Sequence, residues 1–476
     1  MHFVKREAFR IVLGAALAVC LIAVPPATAA TPYAPQLTRY PYLTDVAGGG
    51  ATINWATDRS SASAYVTWGV AGVESCTAHS KSASRTQITV GSTPEYQWKA
   101  RLSLAPDTTY CYRVYLGATG SGLNLLGSNP SPQFATERPA GSTTPFKFAV
   151  LGDWGSVTAT GNPDQANLMG RLASSGARFA LSTGDIAYPG GSQTNYGDLY
   201  QTGANLSAVF GPQFWTAPGA SMPLFPVLGN HGLNASFPLI WPGASAATAS
   251  NGRFQIDNYC CLDGTASANY PSVWYAFDSG PARFYMLDAA WANSNLGTGS
   301  LYQNDFDNHW TPASPEYQWL EADLANHSAQ VKFAIFHFPL YSANATETSD
   351  AFLHGPDSLE GLLSRYGVDI AFNGHAHIYE RNNANGPGGL ISYVTGGGGA
   401  PLEPVSKCSG LPGIVAYAIG WSNSSAAGSA CGTASRPVSS SQVFHFLLVS
   451  VNGNTVTVTP TDSLGRTFDS RTYVFR

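Results

Sequence analysis

Charge is scarce in this chain. Only 11% of its 476 residues are Asp, Glu, Lys or Arg, and the formal net charge is −5. No basic run stands out, so the sequence carries no nucleic-acid signature. Beyond the first 30 residues no stretch is apolar for long enough to span a bilayer. No C-x-x-C pair occurs, which removes the usual cysteine metal knuckle. There is no internal repeat, and no low-complexity tract beyond short Gly, Ser and Ala runs. What is plentiful is Gly (50), Tyr (23), Trp (11), Ser and Thr. That composition suits strands joined by many loops. The length exceeds what one core organises, so two or three domains are expected.

The N-terminus reads as a removable targeting segment over residues 1–30. Lys5, Arg6 and Arg10 precede the apolar run from Ile11 to Val24. Ala27-Thr28-Ala29 then offers small residues for cleavage near Ala29 or Ala30. The run is short for a membrane helix, and Pro25-Pro26 ends it. A secreted chain with no membrane span after cleavage is expected. Cleavage leaves 21 basic and 28 acidic residues and a formal charge of −7. Of seven cysteines, Cys20 leaves with this segment, and the six that remain favour disulfides. Cys76–Cys111 and Cys408–Cys431 are the first pairings to expect. A bond between Cys260 and Cys261 would be vicinal and strained.

Residues 31–138 read as a small β-sandwich. Ala51–Trp55 and Ala64–Trp68 alternate apolar and polar residues, and Pro106-Asp107-Thr108 turns into an aromatic, β-branched run. Tyr110 after that turn resembles a tyrosine corner. His79 reads as a surface residue. Arg138 to Pro145 is a linker by composition.

From residue 139 to 476 the pattern changes. Phe146–Leu151 stops at Gly152-Asp153, and Phe179–Ser182 stops at Gly184-Asp185-Ile186-Ala187-Tyr188. Leu224–Leu228 stops at Gly229-Asn230-His231, Val331–Phe336 at His337, and Val368–Phe372 at Asn373-Gly374-His375-Ala376-His377. Each is a buried-type strand ending in a side chain that can bind metal. Helical stretches near Gln165–Ser174 and Ser358–Tyr366 alternate with them, which indicates an α/β domain. In such sheets sites form beyond the carboxyl ends of the strands. Residues 440–476 read as a closing β-hairpin around Asn452-Gly453, with His445 structural. Gly396–Gly399 fits either a tight turn or close backbone approach to a ligand. Glu380 and Arg381 read as an ion pair.

The strand-end set is Asp153, Asp185, Tyr188, Asn230, His231, His337, His375 and His377. Carboxylates, a phenol, an amide oxygen and imidazoles suffice for two adjacent ions, with one carboxylate bridging. The mixed N/O set suits Fe, Zn or Mn rather than Mg or Ca, and a phenolate favours Fe(III).

These five ordered motifs resemble those of the calcineurin-like metallophosphoesterases, and in detail a secreted bacterial member of the purple acid phosphatase branch. Most of the superfamily has Asp-x-His at the first motif. Here Gly155 stands in place of that His, and Tyr188 enters the second motif, as in the purple branch. The resemblance implies a fibronectin-III-like sandwich followed by a four-layer α/β/β/α domain. It implies that Asp153, Tyr188 and His377 bind Fe(III), that Asp185 bridges, and that Asn230, His337 and His375 bind a divalent Fe, Zn or Mn. It further implies a phosphate ester substrate, in-line attack by metal-bound hydroxide, and His231 near the phosphate and leaving group. Plant members place Glu after Asn-His, where this chain has Gly232. They also carry a His pair after the fourth-motif His, whereas Tyr341 to Asp350 holds none. His354 is the nearby candidate for substrate contact. His309 and His327 match no motif.

An acid phosphatase acting on monoesters is the expected function. A phosphodiesterase on the same scaffold and a non-catalytic secreted binding protein are the alternatives. The long loops 235–272 and 289–315 would decide between the first two. Oligomeric state is not legible.

Overall fold

The computed structural model describes residues 33–156, 161–200, 209–212, 214–231, 244–245, 255–256, 274–289, 310–312, 315–344, 346–347, 353–385, 388–408 and 413–476. The expected targeting segment with Cys20, the pair Cys260 and Cys261, Gly232, His309 and most of the two long loops lie outside the described residues.

Two large sheets carry the fold. One has eight strands, in the order Tyr275–Ser279, Ala282–Met286, Val331–Ile335, Ile370–Asn373, Ile391–Thr395, Tyr379–Asn382, Val415–Ser422 and Ala427–Gly432. The other has ten. It starts at Arg471–Val474, Thr455–Asp462 and His445–Asn452, passes through Phe146–Leu151, Ala180–Ser182 and Leu224–Pro226, and ends with Leu37–Thr44, Gly50–Thr57, Thr93–Ser103 and Ser84–Val90. A five-stranded sheet around Ala64–Val70 and Thr109–Leu116 shares a separate core with Leu37–Thr44, Gly50–Thr57 and Thr93–Ser103. That pair of sheets is the N-terminal sandwich. In it the backbone N–H of Ala105 donates to the Tyr110 hydroxyl at 3.0 Å, which fixes the turn before the aromatic strand.

The two large sheets face each other through aromatic rings. Phe148 meets Phe284 at 5.0 Å and Phe333 at 5.2 Å between centroids. Leu168, Met169 and Leu172 of the helix Pro163–Ala173 join the same core, as do Leu359, Leu362 and Leu363 of the helix Leu359–Arg365. A strand covered on both faces reads as a continuous apolar run, which is why Phe146–Leu151 does not alternate. Removing the Phe148 ring would cost about 3–5 kcal/mol. Helix Pro163–Ala173 begins where Asn162 Oδ1 accepts the N–H groups of Asp164 and Gln165, at 3.1 and 3.3 Å. This cap and the following Pro fix the helix start.

Composition separates the sandwich from the rest, but the hydrogen bonding joins them. Thr44 pairs in parallel with Leu224, so one sheet runs through both parts. The Tyr112 hydroxyl donates to Ala220 O at 2.8 Å, and Arg39 Nε donates to Gly197 O at 2.9 Å. The linker itself is tied: Arg138 pairs with Asp107 at 2.7 Å, and Gly141 N–H donates to Gly280 O at 2.7 Å. Disulfides Cys76–Cys111 and Cys408–Cys431 are both present, with Cα atoms 5.2 and 5.4 Å apart. No helix among the described residues is long and apolar enough to cross a membrane.

The expected Glu380–Arg381 ion pair does not form. The two residues are neighbours in Tyr379–Asn382, and neighbours in a strand point to opposite faces. Arg381 instead grips Asp469 with two bonds of 2.7 and 2.9 Å. Glu380 is fully buried on the other face and accepts the Ala343 N–H at 2.6 Å.

Candidate metal centre

The strands that end in donor residues run parallel: Phe146–Leu151 beside Ala180–Ser182 beside Leu224–Pro226 in one sheet, and Val331–Ile335 beside Ile370–Asn373 in the other. Their carboxyl ends therefore share one edge, and the turns there meet across the gap between sheets. The Tyr188 hydroxyl lies 3.2 Å from Asp153 Oδ1, 2.9 Å from Asp185 Oδ2 and 3.1 Å from His377 Nε2. Asp153, Asp185 and His377 each offer one donor atom within 4.8 Å of the others. On the other side, Asn230 Oδ1 lies 2.7 Å from His337 Nε2 and 3.0 Å from His375 Nδ1. Asp185 stands between the two groups. Its Oδ2 faces Tyr188, and its Oδ1 lies 3.4 Å from His337 Nε2.

The second coordination partners set each ring. His337 Nδ1–H donates to Thr183 O at 2.8 Å, and His377 Nδ1–H donates to Pro401 O at 2.7 Å. Each bond turns Nε2 inward, and in neutral His337 that leaves its lone pair facing the cluster. His337 Nε2 and Asn230 Oδ1 are then two acceptors in contact with no hydrogen between them. A cation satisfies such a pair, so the residues present fit bound metal.

Backbone strain marks the same place. Asp153, Asp185 and His375 have φ of 56°, 49° and 69°. Left-handed backbone is costly for residues with a side chain, and it persists where the surroundings hold it. Three of the eight described non-glycine residues with positive φ are thus in this one cluster.

The charges are unbalanced, and the proton affinities reflect it. Burial, then the charges of Asp185 and Asp153, holds the Tyr188 phenol well above its ordinary value. Burial disfavours the charged form of His377, but its hydrogen bond to Asp153 and that carboxylate's charge lift it to about 9. Burial lowers His337, which keeps it neutral as a ligand requires.

Gly155 is required by space. A Cβ there would overlap Ile186 O, so no larger residue fits without moving the backbone. The run Gly396–Gly399 is neither a simple turn nor a ligand cradle. Cβ atoms on Gly396, Gly397 and Gly398 would run into Ala376 O, the His445 ring and Gly152 O. The run packs tightly behind the loops that carry the donors.

His231 lies at the rim. Its N–H donates to Asp185 Oδ1 at 2.7 Å, its Nδ1–H donates to Pro189 O at 2.6 Å, and its ring lies 4.6 Å from that of Tyr188. His354 is not brought into the cluster. Its Nδ1 bonds Glu360 at 2.7 Å and its ring lies against Tyr341. His79 is exposed, His327 is half-buried beside Asp323, and His445 is buried between Val443 O and the Thr395 hydroxyl.

Two acids near the cluster carry no signal in the sequence. Glu403 Oε2 accepts the His377 N–H at 3.2 Å, and Glu347 Oε2 lies 2.6 Å from His375 Nε2. Neither stands at the end of a buried strand, so no local pattern marks them.

The family model described as calcineurin-like phosphoesterase matches residues 146–379. Residues 146–379 thus form a calcineurin-like phosphoesterase domain. The donor turns from Asp153 to His377 all fall within the matched residues. Purple acid phosphatase 22 of Arabidopsis thaliana is 28% identical over 304 residues, which is 62% of this chain and 57% of that protein. Acid phosphatase of Aspergillus ficuum is 27% identical over 383 residues, 60% of each chain. The chain thus spans under two thirds of the length of these relatives. The solved structure of purple acid phosphatase PPD1 from yellow lupin aligns with 92% of this chain and 74% of its own, with a TM-score of 0.63 at 18% identity. That likeness shows the shared fold.

Proposed function

We propose that this chain is a secreted acid phosphatase that hydrolyses phosphomonoesters at two adjacent metal ions. The observation that carries the reading is the span of Asp185. One carboxylate oxygen lies 2.9 Å from the Tyr188 hydroxyl, which also meets Asp153 and His377, and the other lies 3.4 Å from His337 Nε2, which meets Asn230. Asp153, Tyr188 and His377 would hold Fe(III), Asp185 would bridge, and Asn230, His337 and His375 would hold a divalent Fe, Zn or Mn. Two ions bound there would supply an acidified water and positive charge opposite the phosphoryl oxygens.

The chain's own residues do the rest. Asp185 fixes His231 through the backbone N–H, and Pro189 O fixes its ring. On the protonated ring the remaining Nε2–H can bond a phosphate oxygen or pass its proton to the leaving oxygen, which returns the ring to its neutral form. The relatives named above as acid phosphatases support this activity. Two disulfides fit export to an oxidising compartment.

The test is the visible spectrum and metal content of the purified chain. A purple or pink phenolate-to-iron band with two metals per chain, absent in Tyr188→Phe, is expected. A colourless protein holding two Zn or Mn removes the Fe(III) assignment. Comparing turnover of a monoester and a bis-ester checks the substrate class, and preference for the bis-ester overturns it.

A further inference from the structure

Resting on that reading of the centre, we infer that Glu347 is the positioning residue for His375, taking its Nε2–H so that Nδ1 is the donor facing Asn230. The other two inward rings are held by neutral carbonyls, Thr183 O and Pro401 O. His375 differs: its outer nitrogen lies 2.6 Å from a carboxylate oxygen. Its inner nitrogen, Nδ1, lies 3.0 Å from Asn230 Oδ1. A carboxylate on the outer N–H fixes the tautomer, and it makes the inner nitrogen a stronger donor than a carbonyl does.

The segment that carries Glu347 is built to present it. Asn344 Oδ1 accepts the N–H groups of Thr346 and Glu347, at 2.7 and 3.2 Å. Asn344 Nδ2 donates to Glu403 Oε2 at 2.7 Å, and the same oxygen accepts the His377 N–H. Just upstream, the Ala343 N–H is held by buried Glu380. Glu347 is therefore tied to the loop of both C-terminal histidines. On the far side, the Phe338 ring lies 4.4 Å from that of His375, and the His375 N–H donates to Asp153 Oδ2 at 3.0 Å. The ring is held in place on these sides, and the carboxylate decides which nitrogen faces inward.

The consequence is selective. Losing Glu347 weakens retention of the ion at Asn230, His337 and His375, while the ion at Asp153, Tyr188 and His377 keeps all of its donors. The experiment loads the full chain with Zn(II), strips it along a gradient of EDTA activity, and reads zinc per chain by mass spectrometry. Wild type is expected to release two zinc ions per chain. In Glu347→Ala one of them is expected to leave at about 10–100-fold lower chelator activity, with the other step unmoved. Glu347→Gln keeps an acceptor without the charge and falls between the two. It also gives the same test should the alanine variant fail to fold. Equal melting temperatures of the metal-free proteins would separate positioning from a general structural role. Wild-type retention in both variants, or an equal shift of both steps, overturns the assignment. A wild-type chain that takes up no zinc refutes the metal-centre reading itself, and the role of Glu347 falls with it.

Discussion

Replacing Glu380 by Gln should make the protein more stable at pH 8 while changing little at pH 5. Glu380 is fully buried, and burial pushes its carboxyl up to about 8, against the smaller opposing effects of the Ala343 N–H and Asn382. Its Oε1 has no partner among the described residues, and neither has Asn382 Oδ1 on the same face of the strand. Burial is what holds the carboxyl neutral, and a proton on Glu380 would give these two acceptors a hydrogen to share. The sign follows from linkage. The folded state keeps this proton while the unfolded chain releases it near its ordinary value, so raising the pH favours unfolding. The loss begins above the unfolded value and is nearly complete at the folded one. Between about pH 4.5 and 8 it amounts to roughly 4 kcal/mol. In Glu380→Gln the new amide would keep the bond from Ala343 with its oxygen and donate to Asn382 with its nitrogen, with no proton to lose. The assay is chemical denaturation of wild type and Glu380→Gln from pH 5 to 8, at fixed metal content. The gap between them should widen with pH in favour of the variant. A constant gap, or a variant less stable at pH 8, would refute the reasoning. It would mean that Asn382 turns its amide nitrogen to an ionised Glu380.

His445 sets the acid side. Burial lowers it to about 4, so its contribution is lost as pH falls from about 6.5 towards 4, by about 3 kcal/mol. His445→Gln should flatten that acid limb in the same denaturation series. Arg381→Met leaves the buried Asp469 carboxylate without both bonds from Arg381, with the Tyr379 hydroxyl and the half-exposed Arg471 still on it. A loss of about 3–5 kcal/mol is expected by denaturation, and restoring neutrality with Asp469→Asn should recover part of it. Gly155→His should fail to give folded protein, since its Cβ would overlap Ile186 O. A soluble, wild-type-like melt would show that the backbone yields there.

Each donor of the candidate centre was legible because it stands one turn beyond its own strand. A buried strand, a glycine and a metal-competent side chain lie within a few residues, so local pattern suffices to find Asp153, Asp185, Asn230, His337 and His375. The two disulfides were legible from cysteine parity, and a helix was legible near Gln165–Ser174, though its cap at Asn162 was not. Long-range partners leave no such trace. Arg381 finds Asp469 across 88 residues rather than its neighbour, because a strand turns adjacent side chains apart. Thr44 finds Leu224 and joins two parts that composition had separated. Gly396–Gly399 reads as a tight turn or a close approach to a ligand until the backbones crowded against it are known. Glu347 and Glu403 become partners of His375 and His377 only when loops from different strands meet at one edge. The sequence alone determined which side chains are offered to the centre, since each is fixed by its own strand end. Tertiary structure decided what holds those side chains in place, since that depends on contacts between segments far apart in the chain.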